Sequence, residues 1–369
     1  MSSSVLALAG LGDSFLYIYL PANYKSLGLS VFWVGILLSV NRFTRLLLNS
    51  RVAYHLSKHG IKTITVATIV MAILTTLIYG FVNSIFLWLI ARVLWGISFS
   101  TLRLSNIIYA LQHNKQGFSL GLSKSITEIG SVLVLLIGPV LILHFERSLT
   151  FIFLASLSAI GLLLALALPQ LKIKPVARKE LILSFPSALN ILVLLNTFVV
   201  EGMLVVLTGR LIYDGINISA LQVLTIAGFY LAYRRICLIF FSPLSGWMAD
   251  KFGFQSLFNY TALFLVIGIA LIAFGVTLPG IIIAFTFSAM NASVAPGSAL
   301  TQPASMVKDI SDNATWRDIG AAFGTLTGSL LLNISYLHIV FMVSLIPISI
   351  GLFVQFNNSK KKTIYNGIS

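Results

Sequence analysis

Asp13, Arg42, Arg45, Arg92, Lys124, Glu128 and Glu201 stand inside long apolar runs of a 369-residue chain. An ionisable group in such a run costs about 2.5–3.5 kcal/mol to insert into lipid, so each is a functional candidate by default. The chemistry on offer is proton uptake and release by carboxylates and anion contact by guanidinium groups. At a rise of about 1.5 Å per residue, Asp13 lies roughly 14 Å and Arg92 roughly 18 Å from one face of a ~30 Å hydrocarbon core. The two are predicted to face each other, either as a proton or substrate switch or as a structural ion pair. Lys124 and Glu128 have the i, i+4 spacing of a helical pair. Glu128 is therefore either satisfied by its lysine or a carboxylate kept neutral by desolvation. Glu201 has no cation after it until Arg210, which makes it the proton-site candidate of the second half, with a gate hydrogen bond as the alternative. Arg42, near mid-depth, is placed to meet an anionic solute group. Asp13, Arg42, Arg92, Glu128 and Glu201 together form the candidate substrate or proton pathway.

The elements that must position these groups are transmembrane helices. The chain is 58% hydrophobic and 9% charged, with a mean hydropathy of +0.98. A soluble domain carries about 25% charged residues. The net charge of +14 does not point to nucleic acid, because the basic residues fall in gaps between apolar runs rather than along one face. The single cysteine, Cys237, excludes an intrachain disulfide and a cysteine metal site. His55 and His59 lie four apart in a basic turn with no acid beside them, so no metal is expected. No cofactor is expected either. The chain has no Gly-x-x-x-x-Gly-Lys-Ser/Thr phosphate cradle, so energy must come from an ion gradient or from the solute's own.

Apolar runs long enough to cross the bilayer fall at Val5–Leu20, Val31–Leu48, Thr63–Phe81, Ile85–Leu104, Leu120–Leu143 and Leu149–Leu168. A second set falls at Ala188–Val206, Ala220–Phe241, Leu257–Phe274, Ile281–Leu300, Ile319–Ile334 and Leu337–Phe353. The first run has no basic region ahead of it and contains Asp13, so it is read as a retained helix rather than a cleaved signal. Arg51, Lys58, Lys62, Lys115, Lys172, Lys174, Arg178, Lys179, Lys251, Lys308, Arg317 and Lys360–Lys362 gather in gaps on one side, against Lys25, Arg147 and Arg210 on the other. Positive charge marks the cytoplasmic side, so both termini are expected there. The fold class is therefore an all-α membrane protein of twelve transmembrane helices in two pseudo-symmetric six-helix bundles. The expected divisions are an N-terminal bundle at 1–169, a cytoplasmic linker at 170–186, a C-terminal bundle at 187–357 and a disordered cytoplasmic tail at 358–369.

An internal repeat supports the two bundles. Ala53-Tyr54-His55-Leu56-Ser57-Lys58-His59-Gly60 recurs 193 residues later as Gly246-Trp247-Met248-Ala249-Asp250-Lys251-Phe252-Gly253. Glu128-Ile129-Gly130 with Gly138 recurs 190 residues later as Asp318-Ile319-Gly320 with Gly328. Gly320, Gly324 and Gly328 make a small-xxx-small ladder suited to close helix packing.

On these features the chain resembles the major facilitator superfamily. Gly246-x-x-Ala249-Asp250-Lys251-x-Gly253 is similar to the family's signature loop between the second and third helices of a half. Arg92-Val93-Leu94-Trp95-Gly96 is similar to its Arg-x-x-Gln-Gly pattern, with Trp95 in place of the glutamine. Gly138-Pro139 resembles the antiporter motif but lacks its surrounding glycines. Ser57 replaces the acid of the signature loop, and Ala53 the glycine, in the first copy. The resemblance implies a cytoplasmic gate: Gly246 allows close approach, Gly253 a sharp turn, and Asp250 caps or salt-bridges the start of the fifth helix around Ser119–Lys124. Lys58, beside Gly60, would meet Asp318 as the mirror contact, with Lys251 in the second loop. It implies a secondary transporter of a small organic solute working by alternating access, with proton-coupled export as the leading expectation. Proton-linked uptake of a small polar or anionic solute is the alternative, and a non-transporting membrane sensor a remote one. An enzyme is not expected, since no cluster of His, Asp or Ser lies at helical spacing near an interface. The expected partners are the solute, protons and the lipid bilayer, without nucleic acid. The expected location is the bacterial inner (plasma) membrane.

Overall fold

A computed structural model describes residues 1–171, 173, 183–215, 220–331 and 336–366. Most of the linker expected at 170–186 lies outside the described residues. The elements are helices α1 (Ser2–Ala9), α2 (Leu11–Asn23), α3 (Val31–His59), α4 (Ile61–Phe81), α5 (Ile85–Leu111), α6 (Gln116–His144) and α7 (Arg147–Leu166). They continue with α8 (Ala188–Asn196), a π-helical segment (Thr197–Leu204), α9 (Val205–Gly215), α10 (Ala220–Phe252), α11 (Phe254–Ala273) and α12 (Thr277–Ser298). A short 3₁₀ turn at Pro303–Ser305 leads into α13 (Met306–Leu330), and α14 (Leu337–Asn366) ends the described chain. Counting α1–α2 as one span and α8, the π segment and α9 as another gives the twelve expected spans. Among the described residues there is no strand.

Several boundaries differ from the hydropathy reading. The first span is not continuous, because Gly10 interrupts it between α1 and α2. The two basic turns are mostly helix: α3 runs on to His59 and α10 to Phe252, leaving a single glycine before the next helix. Gly60 (φ +86°) and Gly253 (φ +85°) both occupy the left-handed half of backbone space, where a Cβ is strained, so the repeat extends to the dihedral angles. α13 begins well ahead of Ile319, which puts Lys308, Arg317 and Asp318 in a helix rather than a loop. α14 continues through Lys360–Lys362 to Asn366, where a disordered tail was expected.

Eight of the described helices are long and apolar enough to cross a membrane. α13 fails that test for a physical reason. Ser311, Asp312, Asn313, Thr315 and Asp318 make it polar, and all five are buried. The large apolar side chains that are exposed, such as Phe32, Leu47, Leu143, Leu163, Phe240 and Phe353, are what a lipid-facing surface requires.

The chain divides into two compact units. The first comprises Met1–Gln112, Ser125–Leu183 and Gln302–Ser311. The second comprises His113–Lys124, Ser184–Thr301 and Asp312–Ser369. In the first, α4 packs on α7, α3 on α5, α4 on α5, and α1 on α7. In the second, α11 packs on α14, α10 on α12, α11 on α12, and α8 on α14. These are the same four pairings among the same five helix positions, so the sequence repeat is also a repeat of packing. The first core is aromatic, with Phe15 edge-on to Phe151 at 5.3 Å and Tyr79 to Trp88 at 5.7 Å. The second is built on Leu192, Val200, Leu204, Phe258, Phe285 and Phe341, all fully buried.

Candidate functional site

Each unit holds a largely buried pair of opposite charges. In the first unit, the break at Gly10 makes Asp13 part of the first turn of α2. There the unsatisfied N–H groups and the helix dipole favour an anion. Arg92 comes from α5 and donates from Nη1 to Asp13 Oδ1. Its Nε donates to the Leu37 carbonyl of α3 at 2.6 Å. Tyr17 donates to the neighbouring Leu38 carbonyl at 3.1 Å and places its ring 5.7 Å from the guanidinium carbon. The Arg92 side chain is 0% exposed and that of Asp13 16%. The cation is thus sealed in, while its carboxylate keeps a route out. The two side chains that depth counting set opposite each other do meet.

In the second unit Glu201 is not isolated, as it appeared along the sequence. Arg317 of α13 donates from Nη2 to both carboxylate oxygens, at 3.1 and 2.9 Å. The pair lies 116 residues apart in sequence. Glu201 sits in the π-helical segment, whose wider turn shifts the side chains that follow it. α13 reaches this segment because glycines remove the bulk between them. A Cβ on Gly320 would meet Leu194 and Thr197, one on Gly324 would meet Phe198, and one on Gly328 would meet Met203. Gly202 answers from the other side, against Gly324 itself. The ladder read as close packing from sequence is therefore close packing, and its effect is to bring Arg317 to Glu201. The Thr197 hydroxyl lies 3.2 Å from the Arg317 carbonyl. Asn196, buried one residue before the π segment, has no hydrogen-bond partner for either side-chain atom among the described residues. Neither Asn196 nor Arg317 stood out in the sequence. Arg317 was hidden by its place in a polar stretch that reads as a loop.

The remaining candidates take different positions. Arg42 is half-buried in α3. Arg45 lies over the Phe99 ring at 4.8 Å. Glu128 is buried in α6, one turn after the half-buried Lys124. Trp95, at the position of the family's glutamine, is 2% exposed and belongs to the core. Among the described residues no group of His, Cys, Asp or Glu is arranged to hold a metal.

The signature turn of the second unit makes a definite contact. Asp250 Oδ1 accepts from the Gly117 N–H at 2.6 Å and Oδ2 from the Phe118 N–H at 2.8 Å. These are main-chain donors of the first turn of α6, which have no partner within the helix. The cap falls just ahead of the expected Ser119–Lys124. A Cβ on Gly246 would strike the Gly117 carbonyl, and one on Gly117 the Gly246 carbonyl. Paired glycines thus let α10 and the head of α6 touch, and only then can Asp250 reach two amides. Lys251 places its ammonium 5.5 Å over Trp247. In the first unit Lys58 is exposed at the end of α3, and Asp318, in the second, is buried in α13.

Residues 3–324 match the family model of the Major Facilitator Superfamily. No curated protein sequence matches the chain. Among solved structures, the human organic anion transporter MFSD10 (TETRAN) superposes with a TM-score of 0.76 at 15% identity, covering 96% of this chain and 97% of that one. The E. coli fucose:proton symporter FucP gives 0.74 at 14% identity, with the same coverage. A bacterial homologue of the iron transporter ferroportin gives 0.73 at 15%, covering 97% of this chain and 99% of that one. Likeness at these identities speaks for the fold. The twelve-span repeat and the family match together place the chain: it belongs to the major facilitator superfamily and has the fold of a secondary transporter.

Proposed function

We propose that this chain is a proton-coupled secondary transporter that exports a small organic solute by alternating access, and that it performs no chemical conversion. The observation that carries the reading is the Asp13–Arg92 pair, with its sealed cation and its partly accessible carboxylate. Protonating Asp13 strands a buried guanidinium. A lone buried charge costs several kcal/mol, so the bundle gains by rearranging around it. That differential stability is what a ligand or proton needs to shift a two-state equilibrium. On this reading Asp13, Arg42, Arg92, Glu128 and Glu201 line the solute or proton path. Lys58, Gly60, Lys124, Gly246, Asp250, Lys251, Gly253 and Asp318 form a cytoplasmic gate. Residues 1–169 and 187–357 are the moving bundles, 170–186 their linker and 358–369 the tail. The membrane is the bacterial inner membrane, with both termini inside.

Proton-linked uptake of a small polar or anionic solute is the second reading. The half-buried Arg42 favours it, as does the likeness to a protein named as a fucose:proton symporter. A ligand-library thermal-shift screen on the purified protein identifies a solute. Flux of that solute in proteoliposomes, under pH gradients of either sign, decides between the readings. Movement against the proton gradient's direction supports export, movement with it supports uptake, and flux indifferent to pH overturns proton coupling.

A further inference from the structure

Tyr79 of α4 is 1% exposed, and its hydroxyl has no hydrogen-bond partner among the described residues. Two contacts fix where it stands. A Cβ on Gly12 would strike the Thr76 side chain, so the start of α2 lies against α4, and Tyr79 follows Thr76 by one turn on the same buried face. Its ring packs edge-on to Trp88 at 5.7 Å, and Trp88 precedes Arg92 by one turn of α5. Tyr79 is thereby set beside Asp13 and Arg92 at once. The hydroxyl lies close enough to act electrostatically on both, yet no hydrogen bond of proper geometry joins it to either. A buried hydroxyl left in this way is destabilising unless another state of the protein uses it.

Resting on the reading of Asp13 and Arg92 as a proton switch, we infer that Tyr79 is a positioning residue that receives the guanidinium once Asp13 is protonated. The guanidinium carries more N–H groups than the Asp13 carboxylate and the Leu37 and Leu38 carbonyls use. A proton arriving on Asp13 removes the negative charge but leaves the cation sealed in. The Tyr79 oxygen then accepts one guanidinium N–H and keeps its own proton, so the transferred proton stays on Asp13. This stabilises the protonated state, and the switch turns at a higher pH than it would with phenylalanine at 79. The titratable groups that act on Arg92 are Asp13 and Tyr17 of α2 and Tyr79 itself. Tyr17 is already committed, donating to the Leu38 carbonyl and presenting its ring face. Of the other helices, α3 supplies the two carbonyls, α6 supplies Ser131, bonded to Ser14 at 3.2 Å, and α7 supplies the Phe151 ring, 6.1 Å from that of Tyr79.

The test uses the full-length purified protein, and the ligand titrated is the proton. Tryptophan emission is followed across a pH series, with the buried Trp88 and Trp95 reporting from either side of Arg92 on α5. The parent should show a transition that Asp13→Asn abolishes. Tyr79→Phe should move its midpoint toward acid by about one pH unit, the worth of one hydrogen bond to a charged group. In the Asp13→Asn background it should change nothing further. Its thermal unfolding midpoint at neutral pH should equal or exceed the parent's, because the hydroxyl it removes is unbonded there. A tyrosine with a purely structural role gives the opposite pair of results, earlier unfolding and an unmoved transition. Tyr79→Phe that does not fold, or unfolds before the parent, overturns the assignment. A parent without an Asp13-dependent transition overturns the proton switch and this inference with it. A transition that Asp13→Asn abolishes and Tyr79→Phe leaves in place overturns this inference alone.

Discussion

Lys58 and Lys251 hold their ammonium groups at the same 5.5 Å from an aromatic ring one helical turn back, Tyr54 in one unit and Trp247 in the other. The two lysines are 193 residues apart, the offset of the sequence repeat and of the left-handed glycines Gly60 and Gly253. The ring identities differ, but the interaction is retained, since any aromatic face attracts a cation. The copies part at Ala53 against Gly246 and at Ser57 against Asp250. Asp250 fastens the second turn to a helix start, whereas Ser57 in the first bonds to the Tyr54 carbonyl at 2.9 Å.

Arg317→Met should lower stability by about 3–5 kcal/mol, because it leaves the Glu201 carboxylate buried without its cation. The double variant Glu201→Gln/Arg317→Met should recover most of that loss. Thermal unfolding of the detergent-solubilised protein reads both. Near-additive losses would show that the pair is not coupled.

Asp13→Asn should hold Arg92 by hydrogen bonding alone and remove the pH dependence of solute flux. Arg92→Ala should slow flux at every pH, since it leaves the Asp13 carboxylate in the bundle without its cation and takes the side-chain donor from the Leu37 carbonyl. Initial rates in proteoliposomes across an external pH series test this. A pH profile unchanged by Asp13→Asn would move the proton site elsewhere, with Glu201 next in line.

Asp250→Ala should destabilise the protein by about 1 kcal/mol, the usual loss for a helix cap, and Asp250→Asn by less. Gly246→Val should do more harm, about 1–3 kcal/mol, because the added carbons strike backbone rather than a movable side chain. Unfolding midpoints order the three variants, and a harmless Gly246→Val would contradict the close approach of α10 to α6.

Gly324→Leu should separate α13 from the π segment and so break the Glu201–Arg317 pair at a distance. The expected signature is that Arg317→Met costs much less in the Gly324→Leu background than alone. A double-mutant cycle on unfolding free energies measures the difference.

Charge reversal at the proposed mirror contact gives a fifth test. Lys58→Asp and Asp318→Lys should each impair flux, and the combined swap should restore part of it. Failure of the swap to rescue either single variant would remove this pair from the gate.

How much of this was legible in the sequence depends on what carried each feature. Asp13 and Arg92 were matched because both ride on helices whose rise is fixed, so counting residues measures depth. Asp250 was legible because its turn exists twice and follows a known pattern. Arg317 was not, because hydropathy senses the environment rather than the helix. The first half of α13 is polar, yet it is buried in protein, and polarity without water looks like a loop. For the same reason the ends of α3, α10 and α14 ran past their predicted limits: an apolar run reports the thickness of lipid, while hydrogen bonding carries the helix further. The π turn at Thr197–Leu204 left no trace in composition.

The Asp250 joint has a lopsided genetics built into it. Its acceptor is a side chain that one codon change can delete, but its donors belong to the peptide backbone and survive nearly any replacement at Gly117 or Phe118. On the α10 side the fastening is lost by deleting one carboxylate or by adding bulk at Gly246, whereas on the α6 side it takes added bulk at Gly117 or a proline that removes an N–H.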